Sequence, residues 1–150
     1  MKVFEGLEQL EAELGRHVGY SDWMEITQER IDAFADATGD HQWIHVDPAR
    51  AAEGPYGRTI AHGYLTLSLL PVLGAEVMEI RGFAMMINYG VDKVLFPAPV
   101  PVGSRIRAGI ELTSLERKSS GVQLNSLVTV EVEGSDRPAV VAETVRMMVE

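Results

Sequence analysis

A carboxylate and an imidazole stand five positions apart in Asp40-His41-Gln42-Trp43-Ile44-His45, and the segment Ile60-Ala61-His62-Gly63 follows shortly after. Histidine titrates near neutrality, so His45 is a candidate to take up and return a proton. A carboxylate close to it either orients the ring or, if burial raises its pKa, acts as the partner acid. The bland alternative is an Asp that caps a loop and a His bonded to backbone, which for an arbitrary Asp/His pair is the commoner case. Gly63 is the third part. Without a side chain it lets a ligand carbonyl approach the backbone. At a helix start its N–H is also unpaired and faces where negative charge is welcome, as on the oxyanion of a thioester enolate. A plain helix-start glycine fits the same position equally well.

The other polar residues carry weaker signals. His41, His45 and Asp47 have superficial metal-ligand spacing, but no helical pattern puts His41 and His45 on one face and no second ligand pair follows, so no metal is expected. His62 packs or bonds at the helix start and helps to orient the loop. His17 reads as a surface residue. No Gly-x-Ser-x-Gly and no glycine-rich phosphate loop occurs. Arg58, Lys93, Arg105 and Arg107 are candidates to meet ligand phosphates, although Arg105 and Arg107 share what reads as a solvated strand face. The proline-spaced run Phe96–Gly103 reads as a stiff extended connection.

These residues must be positioned by elements that the patterning predicts. Leu7–Leu14 reads as a short amphipathic helix ending at Gly15, and Tyr20–Ile26 as a strand containing Trp23. Thr27 is placed as an N-cap, after which Ile31, Phe34, Ala35 and Thr38 form one buried helix face that Gly39 terminates. Asp40 to Ile60 is irregular, with a helical turn at Ala49–Glu53. Gly63 to about Ile80 is apolar on nearly every side and predicts a long buried helix, bent by Pro71. From there the period changes to two. Met85–Phe96, Arg105–Leu112, Val122–Glu133 and Val140–Val149 alternate as antiparallel strands covered on one face, joined by short polar connections. A curved antiparallel sheet wrapped around a long central helix follows: an α+β chain of the hot-dog type, expected to be one domain over 1–150.

Composition bounds the function. The 150 residues carry 22 acidic and 13 basic groups, a net charge of −9, and show no contiguous basic surface for nucleic acid. The absence of cysteine removes disulfides, thiolate metal sites and a thiol nucleophile together. No apolar run reaches the roughly 20 residues of a membrane span and no signal-peptide pattern opens the chain, so a cytoplasmic location is expected.

Taken together, Asp40, His45 and Ile60-Ala61-His62-Gly63, with Asn88-Tyr89-Gly90 and Lys93–Pro97, resemble the MaoC-like (R)-specific enoyl-CoA hydratases of hot-dog fold, over most of the chain from about Tyr20. The family pattern Asp-x-Asn-Pro-x-His departs here at Gln42-Trp43, as in a sub-branch that includes nodulation protein N. The resemblance implies reversible hydration of trans-2-enoyl-CoA to the (R)-3-hydroxyacyl-CoA. His45 would deprotonate water, Asp40 would fix it and handle the proton at C2, and the Gly63 N–H would hold the thioester oxygen. Gln42, Trp43 and His62 would contact substrate, with the bulk of Trp43 reshaping the acyl pocket. No cofactor is implied. An acyl-CoA substrate and an edge-to-edge homodimer are. Two other readings stand beside this one: a thioesterase, which would need Glu76 or Glu79 on the central helix, and a weakly catalytic acyl-binding subunit.

Overall fold

The computed structural model describes residues 1–150. Its elements are β1 (Lys2–Glu5), α1 (Leu7–Ala12), β2 (His17–Tyr20), β3 (Met24–Glu25), α2 (Gln28–Thr38), α3 (Trp43–Val46), α4 (Pro48–Ala52), α5 (Gly63–Ser68), α6 (Leu70–Val77), β4 (Met78–Arg81), β5 (Met85–Leu95), β6 (Arg105–Lys118), β7 (Gly121–Val132) and β8 (Val140–Val149). The main sheet runs β2-β6-β7-β8-β5, with β3 also on β6, and every pairing in it is antiparallel. The alternation of β7 is realised residue by residue. Val122, Leu124, Ser126, Val128, Val130 and Val132 are buried, while the residues between them are half-buried. That inner face packs on α5 and α6 through a core containing Leu65, Leu73, Ile110, Leu112 and Leu124. The hot-dog arrangement predicted from the periodicities is therefore the fold.

Five local expectations give way. The strand predicted over Tyr20–Ile26 is interrupted, because the Ser21 hydroxyl takes the Ala108 N–H (2.9 Å) in place of a ladder carbonyl. This leaves Trp23 between β2 and β3, its ring against the Arg107 guanidinium. The central helix is two helices. Pro71 supplies no N–H, so α5 ends at Ser68 and α6 begins at Leu70, which puts Pro71 in a first turn where no donor is required. The helix also stops at Val77, and Met78–Arg81 instead forms β4, pairing in parallel with β1. It is not buried all round, since Tyr64, Pro71, Val72 and Ala75 are exposed. Finally, β5 is exposed along nearly its whole length despite its apolar residues. It is the sheet's edge, and the helices cover β6 and β8 instead.

On α2, Thr27 caps as predicted, its hydroxyl accepting the Arg30 N–H (3.2 Å), and Gly39 closes the helix at φ 82°. Of the predicted face only Ile31 and Ala35 are fully buried. Phe34 is half-covered, against His62, and Thr38 is exposed.

Leu73 has no exposed surface and sits where α6 meets the sheet. Leu73→Ala is expected to cost about 2–5 kcal/mol in denaturant unfolding. A loss below about 1 kcal/mol would mean that the helix does not form the centre of the core.

Candidate active site

The chemistry-bearing residues lie in loops, in a single helical turn and at a helix start, so other groups must hold them. His45 falls in the single turn of α3, which the patterning did not show. Its ring is buried, and Nδ1 lies 2.7 Å from the carbonyl oxygen of Ile60. A carbonyl only accepts, so Nδ1 carries the proton and the neutral ring keeps its lone pair on Nε2. The backbone around this bond is strapped on several sides. The Ile60 N–H donates to the Ile44 carbonyl (3.0 Å), the Ala61 N–H to Val100 (2.8 Å) and the Val102 N–H to Thr59 (2.9 Å). The proline-spaced run thus serves as the outer strap, although it bends at Ala98 and turns at Val102 and Gly103, where the Ser104 N–H returns to the Pro101 carbonyl (3.0 Å), and is not extended throughout as expected. Gln28, at the start of α2, donates from Nε2 to the His45 carbonyl (2.8 Å) and accepts from the Thr59 hydroxyl (2.5 Å). Nothing in the spacing singles out Gln28, whose place in the site comes entirely from tertiary contacts.

His62 is 2% exposed and stacks on His45, with ring centroids 3.8 Å apart and planes 22° from parallel. Its Nε2–H donates to the main-chain carbonyl of Asp40 (3.0 Å), and Nδ1 has no partner. The Asp40 side chain is exposed, and its Oδ1 accepts the Gln42 N–H (3.3 Å). Ligand atoms of Asp40, His45 and His62 all lie within 4.8 Å of one another. As a metal set the trio is poorly aimed. Ring lone pairs lie in the ring planes, and two nearly parallel stacked rings do not point them at one ion about 2.0–2.1 Å from each. The other spacing-based set does not assemble, because His41 pairs with Asp36 (2.8 Å) and Asp47 caps α4 through the Arg50 N–H (3.0 Å).

Gly63 opens α5, and its N–H has no protein acceptor. A Cβ there would come 3.0 Å from the Phe96 ring, so glycine is what lets that ring pack against the start of α5. Gly63, His45, Ile60, Thr66 and Phe96 line one cavity of about 300 Å³. Trp43 does not line it. Its ring packs at the position of a Gly54 Cβ and under the Arg50 guanidinium (4.4 Å), while Gln42 is exposed. Of the candidate phosphate ligands, Arg105 pairs with Glu133, and Arg107 pairs with Glu131 and lies over Tyr20.

Comparison with known proteins sets this geometry in a family. The sequence model of the MaoC like domain matches residues 9–134. The chain belongs to the MaoC-like family. This MaoC-like chain is 57% identical over 146 residues to 3-hydroxyacyl-thioester dehydratase Z of Mycobacterium tuberculosis, covering 97% of both proteins. It is 43% identical over 145 residues to nodulation protein N of Rhizobium leguminosarum bv. viciae, covering 95% of this chain and 90% of the other. Among solved structures, the (R)-hydratase of Aeromonas caviae involved in PHA biosynthesis superposes with a TM-score of 0.74 at 27% identity, over 90% of this chain and 96% of that one.

In this MaoC-like site burial lowers the His45 pKa below the ordinary 6.5. The Ile60 hydrogen bond opposes the shift, the neighbouring His62 adds to it, and Asp40 opposes it. Exposed His41 moves the other way, raised by its bond to Asp36. In a titration followed by ring-carbon NMR, His41 should change charge above 6.5 and His45 below it. The reverse order would remove the buried neutral base.

Proposed function

We propose that the protein catalyses reversible (R)-specific addition of water to a trans-2-enoyl-CoA, giving the (R)-3-hydroxyacyl-CoA. The observation that carries the proposal is the fixed tautomer of His45: a neutral ring with its lone pair on Nε2, beside the Asp40 carboxylate and a free Gly63 N–H. The enzyme is a hydro-lyase, as the names of its relatives support. Nε2 takes a proton from water as the oxygen bonds to C3. The electron pair moves through C2 onto the thioester oxygen, where the Gly63 N–H donates to it. The proton held by His45 then returns to C2 by way of Asp40, so water has added across the double bond and the site is restored. The free enzyme needs His45 neutral, and its lowered pKa keeps it so at pH 7.

The thioesterase reading loses its candidate residues. Glu76, in the last turn of α6, accepts the Asp22 N–H (3.0 Å), and Glu79, in β4, is held by Arg81 (2.8 Å), both far along the chain from Gly63 at the start of α5. A homodimer is supported by the open β5 edge, which carries exposed Met85, Met86, Ile87, Tyr89 and Val91. No helix is long and apolar enough to cross a membrane.

Crotonyl-CoA should lose its enoyl-thioester absorbance in the presence of the protein. Asp40→Asn and His45→Gln should each slow that loss by about 10²–10⁴-fold. The kcat/KM profile should be flat at neutrality and fall only below pH 6.5, where His45 becomes protonated. Inertness towards short, medium and long enoyl chains would leave an acyl-binding subunit as the reading, and release of free thiol at a matching rate would restore the thioesterase. Light scattering should give twice the 16.5 kDa chain mass, and a monomer would refute the pairing through β5.

A further inference from the structure

Three cavities lie in a row along the helix pair α5–α6, and Arg146 stands where two of them meet. The first holds His45, Gly63 and Thr66. The second, of about 330 Å³, runs between Leu67, Leu70 and Pro71 on the helices and Val91, Val128 and Val145 on the sheet. The third shares Pro71, Asn88 and Arg146 with the second and ends on Met78 and Met86. Gly63 and Thr66 in the first cavity and Leu67 in the second lie at i, i+3 and i+4 on one face of α5, and Leu70 lines the second cavity from the start of α6. Along the other wall the chain of β5 passes them in matching order, from Phe96 through Val91 to Asn88 and Met86. The first cavity adjoins the second where Thr66 is followed by Leu67, with no lining residue in common, and the row runs from His45 towards Arg146 over about 12 Å of helix axis between Gly63 and Pro71 at about 1.5 Å per residue.

Most of this groove is apolar, but its far part is not. Arg146 sits on β8 directly opposite Asn88 in register, so both side chains leave the sheet on the same face. Its Nη2 lies 3.2 Å from where a Cβ of Gly74 would be, a fit that only glycine permits without displacement. The guanidinium is largely withdrawn from water, and desolvation alone lowers its pKa, with no protein anion acting against it. Glu79, the one carboxylate lining these cavities, is turned to Arg81. An arginine stays charged in a protein, and a withdrawn cation without an anion is costly.

We infer that Arg146, with Asn88 beside it, receives a carboxylate at the far end of a medium- or long-chain acyl group, so that the preferred substrates are the mono-thioesters of unsaturated dicarboxylic acids. The inference rests on the acyl-thioester reading of the His45 site and names the substrate class for it. The planar fork of the guanidinium matches a carboxylate, and the amide of Asn88 adds a neutral donor.

The test compares matched pairs, each an ω-carboxy-trans-2-enoyl-CoA and the plain enoyl-CoA of equal length, from the octenoyl to the hexadecenoyl series. In the wild-type protein kcat/KM should favour the diacid member by about ten- to a hundredfold at the best length. In Arg146→Met the ratio should fall to about one, and Arg146→Lys should keep part of it. Because the readout is a ratio within one protein, a general loss of activity does not imitate the effect. Calorimetric binding of the saturated diacid and plain thioesters supplies the same ratio without turnover. A wild-type ratio near one overturns the inference, as does a ratio that survives in Arg146→Met, or a variant that dissociates the dimer with the ratio intact, which would assign the guanidinium to the subunit contact. If plain enoyl thioesters are hydrated without preference, this inference falls and the hydratase reading stands. If nothing is turned over but the diacid binds more tightly through Arg146, the hydratase reading falls and the binding site stands.

Discussion

The site depends on one buried hydrogen bond, from His45 Nδ1–H to the carbonyl of Ile60. It joins two loops that share no regular element, settles which nitrogen faces the cavity, and satisfies a polar atom that would otherwise be costly to bury. Its length of 2.7 Å is held by the straps around it. Ile60 is tied back to Ile44, its neighbours Thr59 and Ala61 to the Val100–Val102 segment, and the carbonyl of His45 to Gln28. Loosening any of these would let the imidazole turn and exchange its tautomer, so the proline-spaced run and the first residue of α2 are parts of the scaffold that holds His45. His62 completes the clamp by stacking on the ring while holding the Asp40 backbone.

What was legible in the sequence follows a physical divide. Period-two alternation reports burial on one face of a strand, and for β7 and the first half of β6 that face is buried against the helix, whereas in β8 Thr144 and Arg146 on the core face are half-buried and Val145 and Met147 on the other face are buried. In β5 the same alternation meets no covering element within the chain, and the pattern could not show that the strand would be an open edge. The caps at Thr27 and Gly39 were readable because they act through neighbours within a few residues. The break at Ser21 was not, because it depends on a hydroxyl reaching a backbone amide far along the chain. Asp40, His45, His62 and Gly63 do come together, as their types and order indicated. The groups that fix them, Gln28 and the Ile60 carbonyl, carry no signal in type or spacing.

The division of the central helix shows how one residue serves two demands. A continuous helix from Gly63 to Val77 would need an N–H at position 71, which proline cannot supply. Ending α5 at Ser68 removes that need and gives the chain a fresh first turn at Leu70. Leu69 joins the two helices with φ −84° and ψ −9°, and its N–H still bonds back to Leu65 (3.2 Å), so the core face from Leu65 to Leu73 stays continuous. The discontinuity falls where Pro71 borders the cavities shared with β5, so the groove wall changes direction without any loss of core packing.

Gln42-Trp43 replaces the Asn-Pro of the pattern that this chain otherwise resembles, and its contacts give the change a structural meaning. Trp43 is the first residue of α3, a position where proline is favoured because its fixed φ suits a helix start and its missing N–H is not required. Tryptophan lacks that intrinsic rigidity, so the turn carrying His45 has to be fixed by packing. The Trp43 ring lies within about van der Waals reach of Gly54 and beneath Arg50, clamping α3 against α4. A larger residue at 54 would displace the ring, since a Cβ there would approach it at 2.9 Å. The bulk expected to reshape the acyl pocket thus works as scaffold, replacing a covalent restraint with a packed one. The departure at Gln42-Trp43 then bears on how firmly His45 is held, and the cavities along α5, α6 and β5 are shaped by other residues.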